Sequence, residues 1–466
     1  MTDVEAILEN ARYLREVRPL DPAEICEYVE GTPHPAIVRQ TIRDNAYDLG
    51  VREREDGTFV PVGEGPVSPT FPGVERFPEA YADRFAVRLV DRYGVDWPES
   101  DGGDRLRARI DRLTEAYFAD EAVEYDPLTA DAYGIYHLPD YYAAVQYVLD
   151  DLAADGLLSR RLRVLDVGAG VGGPALGIHD YLPADSLIEY DAVEPSAAVD
   201  VLEWLLAETR PGFDATVRRE PAEDHDPEGP YDVVLFGNVL SELDDPVAVV
   251  DRYLDALADD GTLLALAPAE ERTATRLREV ERDLLRRRDD ATVYAPTVRL
   301  WPDAEPADRG WTFRREPDLA VPSFQRRLDV AAAGDGTYVN VDVQFAYLLV
   351  RTDGRRAFEY DPDPAEVARM AAMDDHVTDR IDLVAVKLSP DLADEGNPLF
   401  KVGDGSEAVD HYAVLTRESA LNETLPRAPY GALLRVENVL VLWNDDEGAY
   451  NLVVDAETVV DRSSAP

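Results

Sequence analysis

The fold is decided by the stretch VLDVGAGVGGPALGIHDYL, residues 164–182. An apolar run ends at Asp166, glycines follow at positions 168, 170 and 172, and a helical pattern then begins. Glycine lets the backbone turn sharply and pass close to a ligand. The N-terminus of the next helix can hold an anionic group. The stretch therefore predicts a buried strand, a tight turn and a helix, with a ligand at the turn.

Further apolar runs extend this pattern along the chain. They are RRLRVLDVG, LIEYDAVEP, YDVVLFGN, GTLLALAP and VQFAYLLVR, all between residues 160 and 351, and helical sequences separate them. Apolar strands that alternate with helices are typical of a parallel α/β sheet. We therefore predict an α/β domain with a Rossmann-like sheet over residues 156–356.

Two cofactors fit the glycine turn. Gly168, Gly170 and Gly173 satisfy the G-x-G-x-x-G spacing of dinucleotide sites. With Asp166 two residues before the first glycine, the turn also resembles motif I of the class I methyltransferases, which implies S-adenosylmethionine. We favour S-adenosylmethionine over a dinucleotide, and a glycine turn without a ligand is the remaining alternative.

The cofactor site is predicted to contain Asp166, Gly168, Ala169, Gly170, Gly172, Glu194, Glu223 and Asn238. Glu194 closes the second strand, where a carboxylate suits ribose hydroxyls. Glu223 follows the sequence ATVRRE and is placed beside the adenine, although an exposed acid fits equally well. Asn238, in LFGNVLSEL, matches the methyltransferase position beside the methyl group, and it fits equally as the cap of a helix starting near Val239.

A wider resemblance covers roughly residues 130–355. The segments AYGIYHLPDYYAAVQYVLDDLAAD, VVLFGNVLSEL, REVERDLLRRRDDATVYAPTVRLWP, SFQRR and VQFAYLLVR occur in that order. They resemble segments of the methyltransferase-like assembly factors of the mitochondrial small ribosomal subunit and of their bacterial and archaeal relatives. The resemblance implies a methyltransferase fold, S-adenosylmethionine binding and work on the small ribosomal subunit and its rRNA.

The sequence departs from that family at its iron–sulfur site. Many members carry cysteines after an Ala-Pro pair, whereas here Ala295-Pro296 is followed by Thr297, and Cys26 is the only cysteine of the chain. Neither the cluster nor another metal is therefore expected. No catalytic residue is identified, because the motifs used on exocyclic amines, pyrimidine rings and ribose hydroxyls are all missing. Three functions fit: an rRNA methyltransferase, a non-catalytic S-adenosylmethionine-binding assembly factor, and a small-molecule methyltransferase.

Residues 272–327, which we predict to be an insertion, are rich in arginine. Thirteen arginines and ten acids give this range a net charge of +3, where the chain average predicts about −6. Arginine binds phosphate through two parallel hydrogen bonds. The RNA-binding candidates are Arg286, Arg287, Arg288, Arg314 and Arg315. Internal ion pairs that replace the lost cluster explain the composition equally well.

The flanking regions are predicted to be separate domains. Residues 1–62 look like a small winged helix, with helices at 4–16 and 22–29 and a hairpin turn at Asp56-Gly57. Between them a third helix is predicted, with Ile37, Thr41, Ile42 and Ala46 on one face. Its role is nucleic-acid contact or packing. A linker (63–77) and a helical region (78–155) follow. The strand-rich tail, 378–460, suggests a small barrel such as an oligonucleotide-binding fold.

The amino-acid composition indicates the salt concentration in which the protein works and says little about its binding partners. The net charge is −49, and Lys387 and Lys401 are the only lysines. Such an acid excess is typical of adaptation to molar salt, where charges are screened beyond about 3 Å. No apolar run approaches the roughly 20 residues that span a bilayer, so we expect a soluble, cytoplasmic protein without a membrane partner. Its oligomeric state is not predicted. His137, His179 and His225 lack metal-ligand spacing and are expected at the surface.

Overall fold

The computed structural model describes residues 4–54, 56–63, 65–119 and 121–463. The chain divides into two compact units. The N-terminal unit contains Met1–Gly237, Ala256–Ala258 and Pro317–Asp342. The C-terminal unit contains Asn238–Asp255, Asp259–Glu316 and Val343–Pro466.

The helices and strands are as follows. The helices are α1 (Val4–Arg15), α2 (Pro22–Tyr28), α3 (Pro35–Asp44), α4 (Ala46–Leu49), α5 (Glu79–Tyr93), α6 (Asp101–Ala119), α7 (Pro127–Ala154), α8 (Gly173–Tyr181), α9 (Val199–Leu206), α10 (Pro246–Leu254), α11 (Glu271–Arg287), α12 (Ser323–Val330) and α13 (Thr424–Arg427). The strands are β1 (Val51–Glu53), β2 (Phe59–Pro61), β3 (Arg161–Val167), β4 (Leu187–Val193), β5 (Phe213–Arg218), β6 (Tyr231–Gly237), β7 (Leu257–Pro268), β8 (Thr292–Ala295), β9 (Arg314–Glu316), β10 (Val343–Arg351), β11 (Arg380–Lys387), β12 (Leu399–Gly403), β13 (His411–Leu415), β14 (Leu433–Asn444), β15 (Ala449–Val454) and β16 (Val459–Arg462). Trp97–Glu99 and Met370–His376 are 3₁₀ turns.

In the N-terminal unit, β3, β4, β5 and β6 form a parallel sheet, and the predicted ligand turn follows β3. Their order is β5-β4-β3-β6, which is 3-2-1-4 when β3 is counted first. Strands β3, β4 and β6 are mostly buried, as parallel strands covered on both faces are, which explains their continuous apolar runs, whereas β5 at the edge is mostly exposed. In this strand order the chain continues from β3 to one side of the sheet, through β4 and β5, and then returns to the other side of β3 as β6. Ligands of open α/β sheets bind beyond the carboxyl ends of the two strands at which the order reverses, here β3 and β6. The glycine turn follows β3 at this position.

Helix α8 packs closely on α7 because glycines face that helix. A Cβ on Gly177 would lie 2.3 Å from Val145 Cγ1 and 2.6 Å from the carbonyl oxygen of Tyr142. A Cβ on Gly173 would lie 3.0 Å from Tyr141 Cβ. The start of α8 is therefore held directly against the middle of α7.

In the C-terminal unit, β10 lies between β7 and β8 and runs antiparallel to both. This corrects the expectation that VQFAYLLVR belongs to a wholly parallel sheet. The apolar pattern predicted the strand itself, but a strand buried on both faces has the same pattern in either direction. The range predicted as an insertion also supplies regular elements, since α11, β8 and β9 lie within it or overlap it.

The C-terminal strands confirm the predicted small barrel. Strand β11 pairs with both β12 and β14, which closes the ring β11-β12-β13-β15-β14 around a buried apolar core. Strands β13 and β15 are parallel and the other neighbours antiparallel. The oligonucleotide-binding assignment stays a prediction.

Both lysines of the chain are buried in this unit. Lys387 Nζ donates to the carbonyl oxygens of Leu425 at 2.9 Å and Ala428 at 2.8 Å. Lys401 Nζ forms ion pairs with Asp308, at 2.6 Å, and with Asp410. Burial with several oxygen partners satisfies each ammonium group.

The N-terminal elements are the four helices α1–α4 and the two-stranded hairpin β1-β2. The sequence pattern indicated the hairpin and three helices, and the third of these is divided at Asn45 into α3 and the short α4. Ile7, Ile25, Ile42 and Phe59 share their apolar core. Of the four residues predicted to share one face of the third helix, Thr41, Ile42 and Ala46 are buried, whereas Ile37 is 46% exposed, so its inclusion in that face is wrong. Val38, one position along, fills that place and is fully buried. The winged-helix assignment stays a prediction.

Candidate functional site

The glycine turn between β3 and α8 has the backbone shape that its sequence predicts. Gly168, Gly170 and Gly172 have φ values of +73°, +53° and +92°. The N–H groups of Gly168 and Ala169 donate to the carbonyl oxygen of Val193 at 2.8 and 3.2 Å. A Cβ on Gly170 would meet only the carbonyl oxygen of Gly168, at 3.9 Å. The turn is thus fixed on one side and open at Gly170.

Asp166 lies under the turn and is fully buried. Its Oδ2 accepts a hydrogen bond from Tyr190, while its Oδ1 has no hydrogen-bond partner within the described parts of the chain. Burial, with a contribution from the charge of Glu194, raises the pKa of Asp166 to about 7, against the hydrogen bond from Tyr190, which lowers it. A buried oxygen without a partner is costly. The residue therefore suits a ligand that brings a hydrogen-bond donor or a positive charge.

Glu194 connects the turn to the end of β4. Its Oε2 accepts from the N–H of Gly170 at 3.0 Å, and its Oε1 accepts from the N–H of Ser196 at 2.9 Å. The side chain is mostly buried, at 8% exposure for the residue. Each carboxylate oxygen has a further lone pair, so Glu194 can still accept from ribose hydroxyls while it holds Gly170 in place.

The remaining predicted cofactor residues differ in their placement. Ala169 is buried in the turn at 3% exposure. Glu223 is exposed, on a turn that follows β5. Asn238 belongs to the C-terminal unit, has a φ of +62°, and donates its N–H to the carbonyl oxygen of Leu266 at 3.0 Å.

Asn238 does not cap a helix, so that alternative is wrong. Helix α10 begins only at Pro246, and Asp245 caps it by accepting from the N–H of Ala248 at 3.0 Å. Asp followed by Pro is a strong signal for a helix start. That signal outweighs the helical pattern that begins at Val239.

Two histidines expected at the surface are buried. His179 and His225 are 6% and 5% exposed. His179 Nδ1 lies 2.8 Å from the hydroxyl of Tyr81, and His225 Nδ1 lies 2.7 Å from Glu220 Oε1. His179 is on α8, which is buried on most of its surface because it is covered by α7. The expectation failed because residue spacing alone does not reveal that packing.

An aromatic cluster on and before α7 was missed by the sequence reasoning. It consists of Tyr125, Tyr133, Tyr136, His137 and Tyr141. The ring of His137 is stacked on that of Tyr141, with centroids 5.3 Å apart and an angle of 9°, and it lies 4.9 Å from the ring of Tyr133. Tyr133 also lies 5.4 Å from Tyr125. The spacing of 133, 137 and 141 along a helix is the signal that would have found the cluster.

This cluster borders the glycine turn within the N-terminal unit. Tyr141 Cβ lies 3.0 Å from the position that a Cβ on Gly173 would occupy. The carbonyl oxygen of Tyr125 accepts from the N–H of Ala197 at 3.2 Å, next to the loop that Glu194 holds. Two residues of the cluster thus adjoin the chain segments that form the predicted cofactor site, Tyr141 through its Cβ and Tyr125 through its backbone.

The arginine candidates fall into two groups. Arg288 forms ion pairs with Asp251, Asp255 and Asp290 at 3.1, 2.7 and 2.9 Å. Arg286 pairs with Asp283 and Glu305, and Arg314 pairs with Glu316. In the described ranges, Arg287 and Arg315 are exposed and form no ion pair. Ion pairs therefore account for three of the five arginines, and RNA binding stays a prediction.

Neither a metal-binding group nor a membrane-spanning helix is found among the described residues. No group of three or more His, Cys, Asp or Glu side chains is arranged to hold a metal ion in that part of the chain. No helix there is both long and apolar enough to cross a membrane.

Comparison with known families assigns the central region. Residues 165–263 match the family described as Methyltransferase domain. Residues 4–55 and 371–463 match the N-terminal and C-terminal domains of a domain of unknown function, DUF8157. No curated protein matches the chain. The methyltransferase match includes the glycine turn and favours S-adenosylmethionine over a dinucleotide.

Several solved structures are similar at low identity. The plantazolicin methyltransferase BpumL in complex with SAH is 12% identical, covers 59% of this chain and 99% of its own, and gives a TM-score of 0.31. The mitomycin 7-O-methyltransferase MmcR is 18% identical, with coverages of 57% and 76% and a TM-score of 0.27. An S-adenosylmethionine-dependent methyltransferase from Clostridium acetobutylicum ATCC 824 is 11% identical, with a TM-score of 0.23, and the match spans 29% of this chain and about half, 54%, of that one.

These structures are too distant to assign an acceptor. The fold and the glycine turn agree with the family match, and the buried Asp166 Oδ1 and the open edge at Gly170 fit the cofactor of that family. The chain carries a methyltransferase domain of the class I fold, whose cofactor is S-adenosylmethionine.

Proposed function

We propose that this protein transfers a methyl group from S-adenosylmethionine to an acceptor that carries a planar aromatic ring. The observation behind this proposal is the aromatic cluster beside the glycine turn. Flat side chains bind flat ligands through offset stacking and edge contacts. Such a surface next to a methyl donor favours a ring-shaped acceptor over an aliphatic one.

The cofactor would be held by residues of the N-terminal unit. Asp166 Oδ1, which has no hydrogen-bond partner in the described chain, would accept a hydrogen bond from the cofactor. Glu194 would accept from ribose hydroxyls, and the backbone at Gly170 would permit close approach. When bound, S-adenosylmethionine supplies a methyl group on a positively charged sulfur. The contribution of the protein is to hold the acceptor in line with that group, and orientation alone provides a large part of such a rate enhancement.

A nucleobase of small-subunit rRNA is the second candidate acceptor. Five sequence segments resemble the ribosomal assembly factors in order, and Arg287 and Arg315 are exposed without ion-pair partners within the described residues. The closed barrel of the C-terminal unit has the strand number of an oligonucleotide-binding fold. A nucleobase is also planar, so the aromatic cluster serves this candidate as well.

The test separates cofactor binding from acceptor choice. Calorimetry in molar KCl is expected to give micromolar affinity for S-adenosylmethionine, about −8 kcal/mol, and none for NAD. Gly168→Val is expected to remove the binding, because φ of +73° is strained for a β-branched residue. Equal or tighter binding of NAD would overturn the cofactor assignment.

Acceptor choice is then measured with radiolabelled cofactor. Immature small ribosomal subunits, free nucleosides and a panel of phenols are compared with aliphatic alcohols and amines. Label in any ring-containing acceptor supports the proposal, and label in rRNA selects the ribosomal role. Label only in aliphatic acceptors, or none in any acceptor by a protein that binds the cofactor, would contradict it. The latter outcome would favour the non-catalytic assembly factor.

A further inference from the structure

His137 has a carboxylate partner that fixes where its proton lies. Its Nδ1 is 3.3 Å from Asp140 Oδ2. Asn340 Nδ2 donates to the same Asp140 Oδ2 at 3.0 Å and to the carbonyl oxygen of Tyr136 at 3.1 Å. Asn340 Nδ2 also lies 3.3 Å from His137 Nδ1, but these two acceptors use both of its protons. His137 Nδ1 therefore carries hydrogen and donates it to Asp140, which leaves the lone pair on Nε2.

Asp140 is itself firmly held. Its Oδ1 accepts from the N–H of Tyr141 at 2.9 Å, and its side chain is only 13% exposed. Burial raises the pKa of Asp140, against the opposing effects of His137 and Asn340. A carboxylate in this setting binds the imidazole proton strongly and stabilises an imidazolium that forms beside it.

The Nε2 atom of the imidazole is the one that remains for a ligand. The side chain of His137 is 29% exposed, and Nε2 has no hydrogen-bond partner among the described residues. The ring is stacked on Tyr141, whose Cβ lies 3.0 Å from the position that a Cβ on Gly173, the first residue of α8, would occupy. A base with a free lone pair thus lies in the aromatic cluster, at the side of the glycine turn.

We propose that His137 is the general base of the methyl transfer and that the acceptor is a phenol. This inference rests on the proposed function. His137 Nε2 removes the proton of the phenolic O–H, the oxygen lone pair forms the new O–CH₃ bond, and the S–CH₃ bond breaks with its electron pair left on sulfur. The products are an aryl methyl ether, S-adenosylhomocysteine and a protonated His137, which returns its proton to water. Asp140 and Asn340 are positioning residues for this base.

The chemistry of a phenol matches these groups. A phenol has a pKa of about 10 and is a poor nucleophile until its proton leaves, and imidazole is the side chain that most often acts as a general base in such a step. Amines that are already uncharged need no such base. The cluster also supplies rings against which a phenol can stack.

If His137, Asp140 and Asn340 only stabilise the fold, the contacts are the same, but the protonation of His137 and the effect of its substitution on turnover need not be. The hydrogen bonds of Asp140 and Asn340 also join α7 to the segment around residue 340, so their loss would lower stability whatever their role in catalysis. The first readout is therefore independent of activity. ¹⁵N NMR of histidine-labelled protein, with His137 assigned by the signal lost in His137→Gln, is expected to show protonated Nδ1 and unprotonated Nε2. Protonated Nε2 in the neutral ring would overturn the proposal.

The second readout uses catechol, caffeate and 4-hydroxybenzoate as acceptors. We expect His137→Gln to lower kcat by about 100-fold or more, with unchanged S-adenosylmethionine affinity, and added imidazole to restore turnover to His137→Gly. His376→Gln, in the C-terminal unit, is the matched control. Equal turnover by His137→Gln, or a protein that binds the cofactor but methylates none of the phenols, would overturn the inference. If the wild-type protein does not bind S-adenosylmethionine at all, the proposed function itself is rejected.

Discussion

At the end of β3, Asp166 combines one hydrogen bond from Tyr190 with a second carboxylate oxygen that no described group satisfies. The sequence predicted the position of this acid and the shape of the glycine turn, because strand, acid and alternate glycines are local signals. It did not predict the connection from Glu194 to Gly170, since the two residues meet only through the pairing of β3 with β4. The aromatic cluster was missed for a related reason: its significance depends on the packing of α7 against α8.

The raised pKa of Asp166 predicts a pH dependence of stability. In the unfolded chain this carboxyl titrates near 3.9, and in the folded protein near 7. Between these values the folded state binds the extra proton, so the free energy of unfolding falls as pH rises, by at most about 1.4 kcal/mol per pH unit, and is level above about pH 7. Urea denaturation from pH 5 to pH 8 should show wild type losing stability relative to Asp166→Asn. Parallel curves for the two proteins would contradict this.

The same ionisation predicts a pH dependence of binding. A cationic group of the cofactor is attracted by the carboxylate form of Asp166, so affinity for S-adenosylmethionine should rise up to about tenfold per pH unit below pH 7 and then level off. Calorimetry across that range measures it. Asp166→Asn should bind weakly at every pH, and a pH-dependent affinity in this variant would assign the effect to another group.

Two glycines of the turn should respond differently to alanine. Both have positive φ, so both substitutions cost about 1 kcal/mol in backbone strain. A Cβ at Gly172 would also lie 2.6 Å from Leu202 Cδ1, whereas a Cβ at Gly170 meets nothing closer than 3.9 Å. We expect Gly172→Ala to lose about 2–4 kcal/mol of stability and Gly170→Ala about 1. Equal losses in urea denaturation would show that the contact with Leu202 relaxes freely.

Among the elements, strands were predicted more reliably than their directions or the ends of helices. The five apolar runs each became a strand, but the antiparallel direction of β10 has no local signal. Asp245-Pro246 is the local signal for the start of α10 at Pro246. The sequence reasoning followed the helical pattern from Val239 instead and placed the start too early. The arginines of α11 and its neighbours have partners on elements distant in sequence, such as Asp251 in α10, and their pairing could not be derived from composition.

Adjacent arginines at the end of α11 provide a matched test of the RNA-binding prediction. Arg288 contacts three acids, so Arg288→Glu should lower the free energy of unfolding by about 1–2 kcal/mol through lost pairs and new repulsion. Arg287 is exposed without an ion pair in the described chain, so Arg287→Glu should leave stability unchanged. Thermal denaturation measures both.

Because Arg287→Glu is expected to leave stability unchanged, this variant tests RNA binding alone. Weaker co-sedimentation of this stable variant with small ribosomal subunits would support contact with rRNA. Unchanged co-sedimentation of Arg287→Glu and of Arg315→Glu would leave the arginines of this range with a structural role alone.

For the whole molecule, the net charge of −49 is the dominant electrostatic property. Mutual repulsion of the acids opposes compaction, and salt reduces it as the screening length falls from about 10 Å at 0.1 M to about 3 Å at 1 M. We expect stability toward urea to rise steeply with KCl at low concentration and then to level off near 1 M. A linear rise over the whole range would point to exclusion of the salt from the protein surface instead.

The burial of Lys387 and Lys401, at 3% and 1% exposure, has a practical consequence. Reagents that acylate lysine amines find no accessible target on the native surface. In each case the amine becomes reactive only when the barrel of the C-terminal unit opens. The rate of acylation at these two positions, followed by mass spectrometry of arginine-cleaved peptides, therefore reports the opening of that one unit, in any salt and without an introduced label.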